Sequence, residues 1–121
     1  MIEDSPPPFI TIRTPKQDVY DRALALAGEL HRIIETAKAR YHLKDRLDRC
    51  ATNLVFELSR AKREIRSRSW RNYRRAQELA TDCGTILDLF EHQAAVPRQD
   101  LLAVRTLLHG VLEELAPLTQ S

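Results

Sequence analysis

The chain has 121 residues, 43% of them hydrophobic and 30% charged, with only three glycines. A chain of this length fits one domain and buries a core without a metal or disulfide staple, and no stretch approaches the roughly 20 apolar residues of a membrane span. Nineteen basic residues against seventeen acids leave a formal net charge of +2, a figure that hides one strongly positive pole on an acidic body.

Residues 1–13 contain Pro6, Pro7 and Pro8. Proline removes backbone donors and resists helix, so this segment reads as a flexible, extended or disordered arm. Phe9, Ile10 and Ile12 follow and could dock on a neighbour. The opening Met1-Ile2-Glu3-Asp4 is acidic with no long apolar run, so no secretion signal is expected and a cytoplasmic location fits.

Thr14-Pro15-Lys16-Gln17 predicts a helix start, with Thr14 as cap, Pro15 in the first turn and Gln17 closing a capping box. The first helix then buries Val19, Ala23, Leu26, Leu30, Ile33 and Ala37, at spacings of three and four, and fades near Ala39 to Tyr41. The second helix is expected from about His42 to Ile65. Leu43, Leu47, Cys50, Leu54, Leu58, Ala61 and Ile65 give it an almost strict seam, the pattern of a bundle or coiled coil. Ser67 and Ser69 break the chain and are candidate caps for a third helix. Its inner stripe is Trp70, Tyr73, Ala76, Ala80, Cys83, Leu87 and Phe90, and it ends near Gln93. Pro97 starts a fourth helix, with Leu101, Val104, Leu108, Val111, Leu112 and Leu115 inward and Pro117 as its stop. Gly110, mid-helix, costs about 1 kcal/mol relative to Ala and predicts a close helix contact. The fold class is therefore all-α: an up-down-up-down antiparallel four-helix bundle over residues 14–118 behind the arm of residues 1–13.

Cys50 and Cys83 both fall on apolar stripes and form no CxxC pair, so both are expected as reduced core thiols. Catalytic constellations are absent. There is no GxxxxGK[ST] loop, no GxGxxG and no HExxH, and no glutamate has a histidine three residues on, the step that bundle di-iron sites use. His31, His42, His92 and His109 lie on different helices or ends, so no metal site and no cofactor are expected. The reading is a protein that is not an enzyme.

The positive pole is the feature that points to a function. Arg60, Lys62, Arg63, Arg66, Arg68, Arg71, Arg74 and Arg75 fall within sixteen residues whose only acid is Glu64, a local charge of +7. The other eleven bases and sixteen acids carry −5. Arg68, Arg71 and Arg75 are expected on one face of the third helix, flanked by Arg74. Arg60 and Arg63 form one ridge of the second helix, Lys62 and Arg66 another. Antiparallel neighbours gather all eight at one end of the bundle. Arginine presents a planar fork that matches phosphate bidentately. Such a pole attracts polyanions over about 8–10 Å at physiological salt. These eight are the candidate nucleic-acid-binding residues. An acidic protein partner would satisfy the same electrostatics, and many basic helical faces are only solvated. Trp70 and Tyr73 are interleaved with the arginines. Tyr73 suits the core, while Trp70, at the helix entrance, suits packing and base stacking alike. Leu24, Val55, Phe56, Leu79, Ile86 and Leu102 point outward and exceed what one seam needs, which predicts contacts between subunits.

Tyr41–Ala61, YHLKDRLDRCATNLVFELSRA, resembles the second helix of a known family. It comprises the small four-helix-bundle proteins encoded in 23S ribosomal RNA intervening sequences and the accessory variability proteins of diversity-generating retroelements. The shared pattern is an aromatic (Tyr41), a leucine two on (Leu43), an Arg-Leu step (Arg46-Leu47) and an apolar seam reaching a small residue (Ala61) before a basic segment. Val19–Ala27 and the entry Arg68-Ser-Trp-Arg-Asn-Tyr73 are similar too, so the likeness spans about residues 17 to 116. Intervening-sequence members usually carry a Pro-x-Asn-Ile-Ala-Glu-Gly-like motif in the second helix, where this chain has Val55-Phe-Glu-Leu-Ser-Arg-Ala61. That departure favours the retroelement branch or a divergent third one. The resemblance implies a homopentamer with a basic surface that binds RNA or DNA and a partner reverse transcriptase. It carries over no catalytic residue. An intervening-sequence-type protein, or a scaffold for an acidic partner, is the alternative.

Overall fold

The structure, a computed structural model, describes residues 18–120. It contains α1 (Val19–Thr36), α2 (Tyr41–Arg63), α3 (Trp70–His92) and α4 (Arg98–Leu115), then a 3₁₀ turn at Ala116–Thr119. The arm of residues 1–13 and the Thr14–Gln17 capping sequence lie outside the described residues. The described start of α1 is capped by Asp18, whose carboxylate accepts from the Asp21 amide at 2.9 Å. An acidic side chain there satisfies an orphan donor and complements the helix dipole.

Successive helices are joined by loops of four, six and five residues, so neighbours run antiparallel. Each helix packs on its neighbours in sequence, and α4 closes back onto α1, with no diagonal helix pair in contact. The result is a square up-down-up-down bundle. Its core follows the expected stripes: Leu26, Leu30, Leu47, Leu54, Leu58, Leu87, Phe90, Val104, Val111 and Leu115 are almost wholly inaccessible. Burying each such side chain contributes about 1.5–3 kcal/mol. The turn at Ala116–Thr119 packs across α3 and α4, and Leu118 rests against the core.

Several positions differ from expectation. Ile65 was expected on the α2 seam but is 58% exposed. The helix stops at Arg63, and Glu64 turns extended, with ψ 155°. Its carboxylate accepts from the Ile65 amide at 2.7 Å, so residue 65 leaves the helical register. The break before α3 is present, but Ser69, at the cap position, is in helical conformation and makes no capping bond. Its hydroxyl donates instead to the Arg66 carbonyl at 3.0 Å. Ile86 was expected to point outward and is buried, because α3 packs on α2 and α4 together and needs a stripe wide enough for both Ile86 and Leu87. Val55 and Leu79 are half-buried against the core, while Leu24, Phe56 and Leu102 are exposed. Gly110 marks no backbone approach. The nearest atom to a Cβ placed there is Arg22 Nη1 at 3.3 Å, the far end of a flexible side chain.

At the far end of the bundle, α3 closes with a Schellman motif. Ala95 N–H donates to the Phe90 carbonyl at 2.9 Å, and Ala94 N–H to that of Glu91 at 3.1 Å. Ala94 supplies the left-handed residue, with φ 54°. A side chain there costs about 1–2 kcal/mol that glycine would not. Lys38 N–H donates to the Ala95 carbonyl at 2.9 Å and so ties the first loop to the third. The remaining end holds the start of α1, the close of α2, the start of α3 and the close of α4. This end carries the basic residues.

Candidate nucleic-acid interface

The basic pole is built by three consecutive pieces of chain. The last turn of α2 supplies Arg60, Lys62 and Arg63, the turn of residues 64–69 supplies Arg66 and Arg68, and the first two turns of α3 supply Arg71, Arg74 and Arg75. The turn is tight, with Arg68 N–H donating to the Ile65 carbonyl at 2.8 Å, which brings the ends of α2 and α3 side by side. Arg66 was expected on α2 and lies in the turn, because the helix stops at Arg63. Arg68 was expected on α3 itself. It lies in the turn instead, because the helix begins at Trp70.

The eight side chains divide by environment. Arg60 and Arg75 meet on Glu57, the buried acid of α2. Glu57 Oε2 accepts from Arg60 Nη1 at 3.0 Å, and Oε1 accepts from Arg75 Nη1 at 3.5 Å and from Asn72 Nδ2 at 3.1 Å. Lys62 turns to the opposite flank, where its Nζ lies 3.6 Å from Asp18 Oδ2 and 4.6 Å from the centre of the Tyr20 ring. The remaining five, Arg63, Arg66, Arg68, Arg71 and Arg74, are exposed and have no carboxylate partner among the described residues. Carboxylates of the described residues therefore leave these five arginines unneutralised.

Trp70 takes no part in the core cluster, whereas Tyr73 packs against it. The Trp70 ring is half-buried, and the guanidinium carbons of Arg71 and Arg74 stand 5.5 and 5.3 Å from its centre. Each such cation–π contact is worth about 0.5–1 kcal/mol at an exposed site and holds the guanidinium flat. The expected inner-stripe role thus fits Tyr73 and not Trp70.

Helix dipoles treat the two halves of the pole differently. Cations at the close of α2 are favourable. At the start of α3 they are unfavourable by about 0.3–1 kcal/mol each, and the first turn there has no acid and no capping side chain to offset them. An anion bound at this end would relieve that cost. Glu57 is the residue that sequence reasoning missed. Its signal was legible in principle, since an acid three residues after Leu54 and beside Leu58 interrupts an otherwise apolar face.

Among the described residues, no three His, Cys, Asp or Glu side chains gather as a metal site requires. No helix among them is long and apolar enough to cross a membrane. His31 and His109 are exposed beside Glu35 and Glu113, at 3.5 and 3.4 Å. Compared with protein-family models and with curated proteins, the chain matches none.

Cys50 and Cys83 are free and buried, as expected of core thiols. Burial pushes both thiols up, Cys83 to about 12, with Cys50 the next largest cause for Cys83. Cys83 thus stays protonated in the fold above its ordinary value of 9.0, where the unfolded chain loses the proton. The stability it contributes is complete below pH 9.0 and is lost as pH rises toward about 12. Denaturant unfolding across that window should show the stability of the wild-type chain falling relative to Cys83→Ala. A constant difference between the two would contradict the assignment.

Proposed function

We propose that this chain is a non-enzymatic accessory protein that binds RNA or DNA through the basic end of its bundle. The observation that carries the reading is the set of five exposed arginines, Arg63, Arg66, Arg68, Arg71 and Arg74, with no carboxylate partner among the described residues. Guanidinium groups so placed meet phosphates without reading bases, so affinity comes with little sequence selection. Trp70, flanked by Arg71 and Arg74, offers an aromatic ring on which an unpaired base could stack. The resemblance along Tyr41–Ala61 supports a particular setting, a diversity-generating retroelement whose reverse transcriptase this protein would assist. The resemblance to that branch implies a second helix without interruption, and α2 runs unbroken from Tyr41 to Arg63. A reverse-transcriptase gene beside this one is expected in that setting. Its absence removes the setting and leaves the polyanion reading in place.

Titrating fluorescent RNA at several salt concentrations tests the reading. If each of the five arginines meets one phosphate, log K falls with log salt at a slope of about −3.5 on a single strand and about −4.5 on duplex DNA. Replacing Arg66, Arg68 and Arg71 by Gln should flatten the single-strand slope by about 2. No binding at about 50 mM salt, or a response indifferent to salt, would overturn the proposal. A protein partner that survives nuclease treatment in a pull-down would point instead to a scaffold holding an acidic protein.

A further inference from the structure

Glu57 is 9% exposed, the one charged residue buried among the described residues. It lies on the α2–α3 seam beside Leu54, Leu58 and Ala61, where an apolar side chain would seal the core at no electrostatic cost. A carboxylate there pays desolvation unless its oxygens are bonded. Both are: Oε2 by Arg60, and Oε1 by Asn72 and Arg75. The bonds draw one arginine from α2 and one from α3 onto the same acid.

Those two arginines are held but not used up. Each gives Glu57 a bond from Nη1, and the side chains remain 56% and 58% exposed. A guanidinium has five N–H donors, so several on each still face water. Two positive charges against one negative leave +1 at the cluster, the match for a single phosphodiester. Both side chains have already lost much of the rotamer freedom that a phosphate contact would otherwise have to remove.

We propose that Arg60 and Arg75, bridged by Glu57 and braced by Asn72, form a preorganised clamp for one backbone phosphate of a nucleic-acid strand. This rests on the polyanion reading of the tip and names a contact within it. Arg60 and Arg75 touch the phosphate, and Glu57 and Asn72 are positioning residues. The clamp also marks where the strand's path ends. Arg60, Arg75 and Glu57 share the groove between α2 and α3, about 420 Å³ in volume, with Asn53, Leu79 and two further acids, Glu78 and Asp82. Carboxylates there repel a further phosphate. A strand therefore crosses the arginine tip and stops at Glu57.

The sign of one substitution separates this from a purely structural ion pair. Glu57→Gln in the full chain removes a negative charge from a polyanion-binding surface, so electrostatics alone predict tighter binding. The clamp predicts the opposite. Affinity for a labelled single-stranded RNA should fall roughly tenfold as Arg60 and Arg75 lose their preset geometry, and the salt slope should flatten by about 0.7, the share of the one phosphate the clamp holds. Unchanged or tighter binding would overturn the clamp while leaving the tip reading intact, whereas a wild-type chain that binds no RNA fails that reading itself. Because Glu57→Gln also disturbs the seam, Arg60→Lys with Arg75→Lys serves as a second variant. It keeps the net charge and alters only exposed side chains. A roughly tenfold loss at equal charge is expected, since lysine lacks the planar fork. Wild-type affinity in that variant would refute the clamp.

Discussion

Packing of α2 against α3 holds like charges together at one end of this molecule. Two antiparallel helices joined by a six-residue turn set the close of one beside the opening of the other. The apolar seam of Leu47, Leu54, Leu58, Ala76, Ala80 and Leu87 supplies the free energy. Repulsion within a segment of net charge +7 opposes it. Glu57 relieves part of the repulsion from below, and Asp18 relieves part of it from the α1 side. What remains unrelieved is the row of arginines through the turn and into α3, and that remainder gives the tip its chemistry.

The architecture was legible because burial here is periodic. Leu47, Cys50, Leu54 and Leu58 recur at helical spacing, and each is buried. Periodicity does not see where a helix ends, however. Ile65 continues the count from Ala61, yet the extended Glu64 rotates it out to solvent. Nor does periodicity weigh how many neighbours a helix must satisfy. Ile86 looked surplus to a single seam, but α3 packs on both α2 and α4 and buries it. The Schellman close at Ala94 was hidden because alanine stands where glycine usually signals the left-handed turn.

The candidate site was legible as a charge count and not as an arrangement. Composition located the eight basic residues, and antiparallel topology put them at one end. What charge counting missed is which of them are committed. Arg60 and Arg75 are tethered by a buried acid eighteen and fewer residues away in sequence, and Lys62 faces α1 rather than the turn. The Glu57–Arg60 pair follows helical spacing within α2, but the contacts of Arg75 and Lys62 depend on side-chain geometry across helices, which no spacing rule within one helix encodes. Trp70 is a similar case. Its spacing matched the inner stripe, but α3 begins at that residue, and its ring rests against arginines and not against the core.

The central claim is that the turn of residues 64–69 and the helix ends beside it form the surface that meets a polyanion. Backbone and arginine side-chain NMR spectra, recorded while RNA is added to the full chain, test it most directly. Shifts should concentrate at Arg60–Arg75 and be strongest at the Nε–H groups of Arg66, Arg68, Arg71 and Arg74. Shifts centred on the opposite end, around residues 37–40 and 93–97, would contradict it.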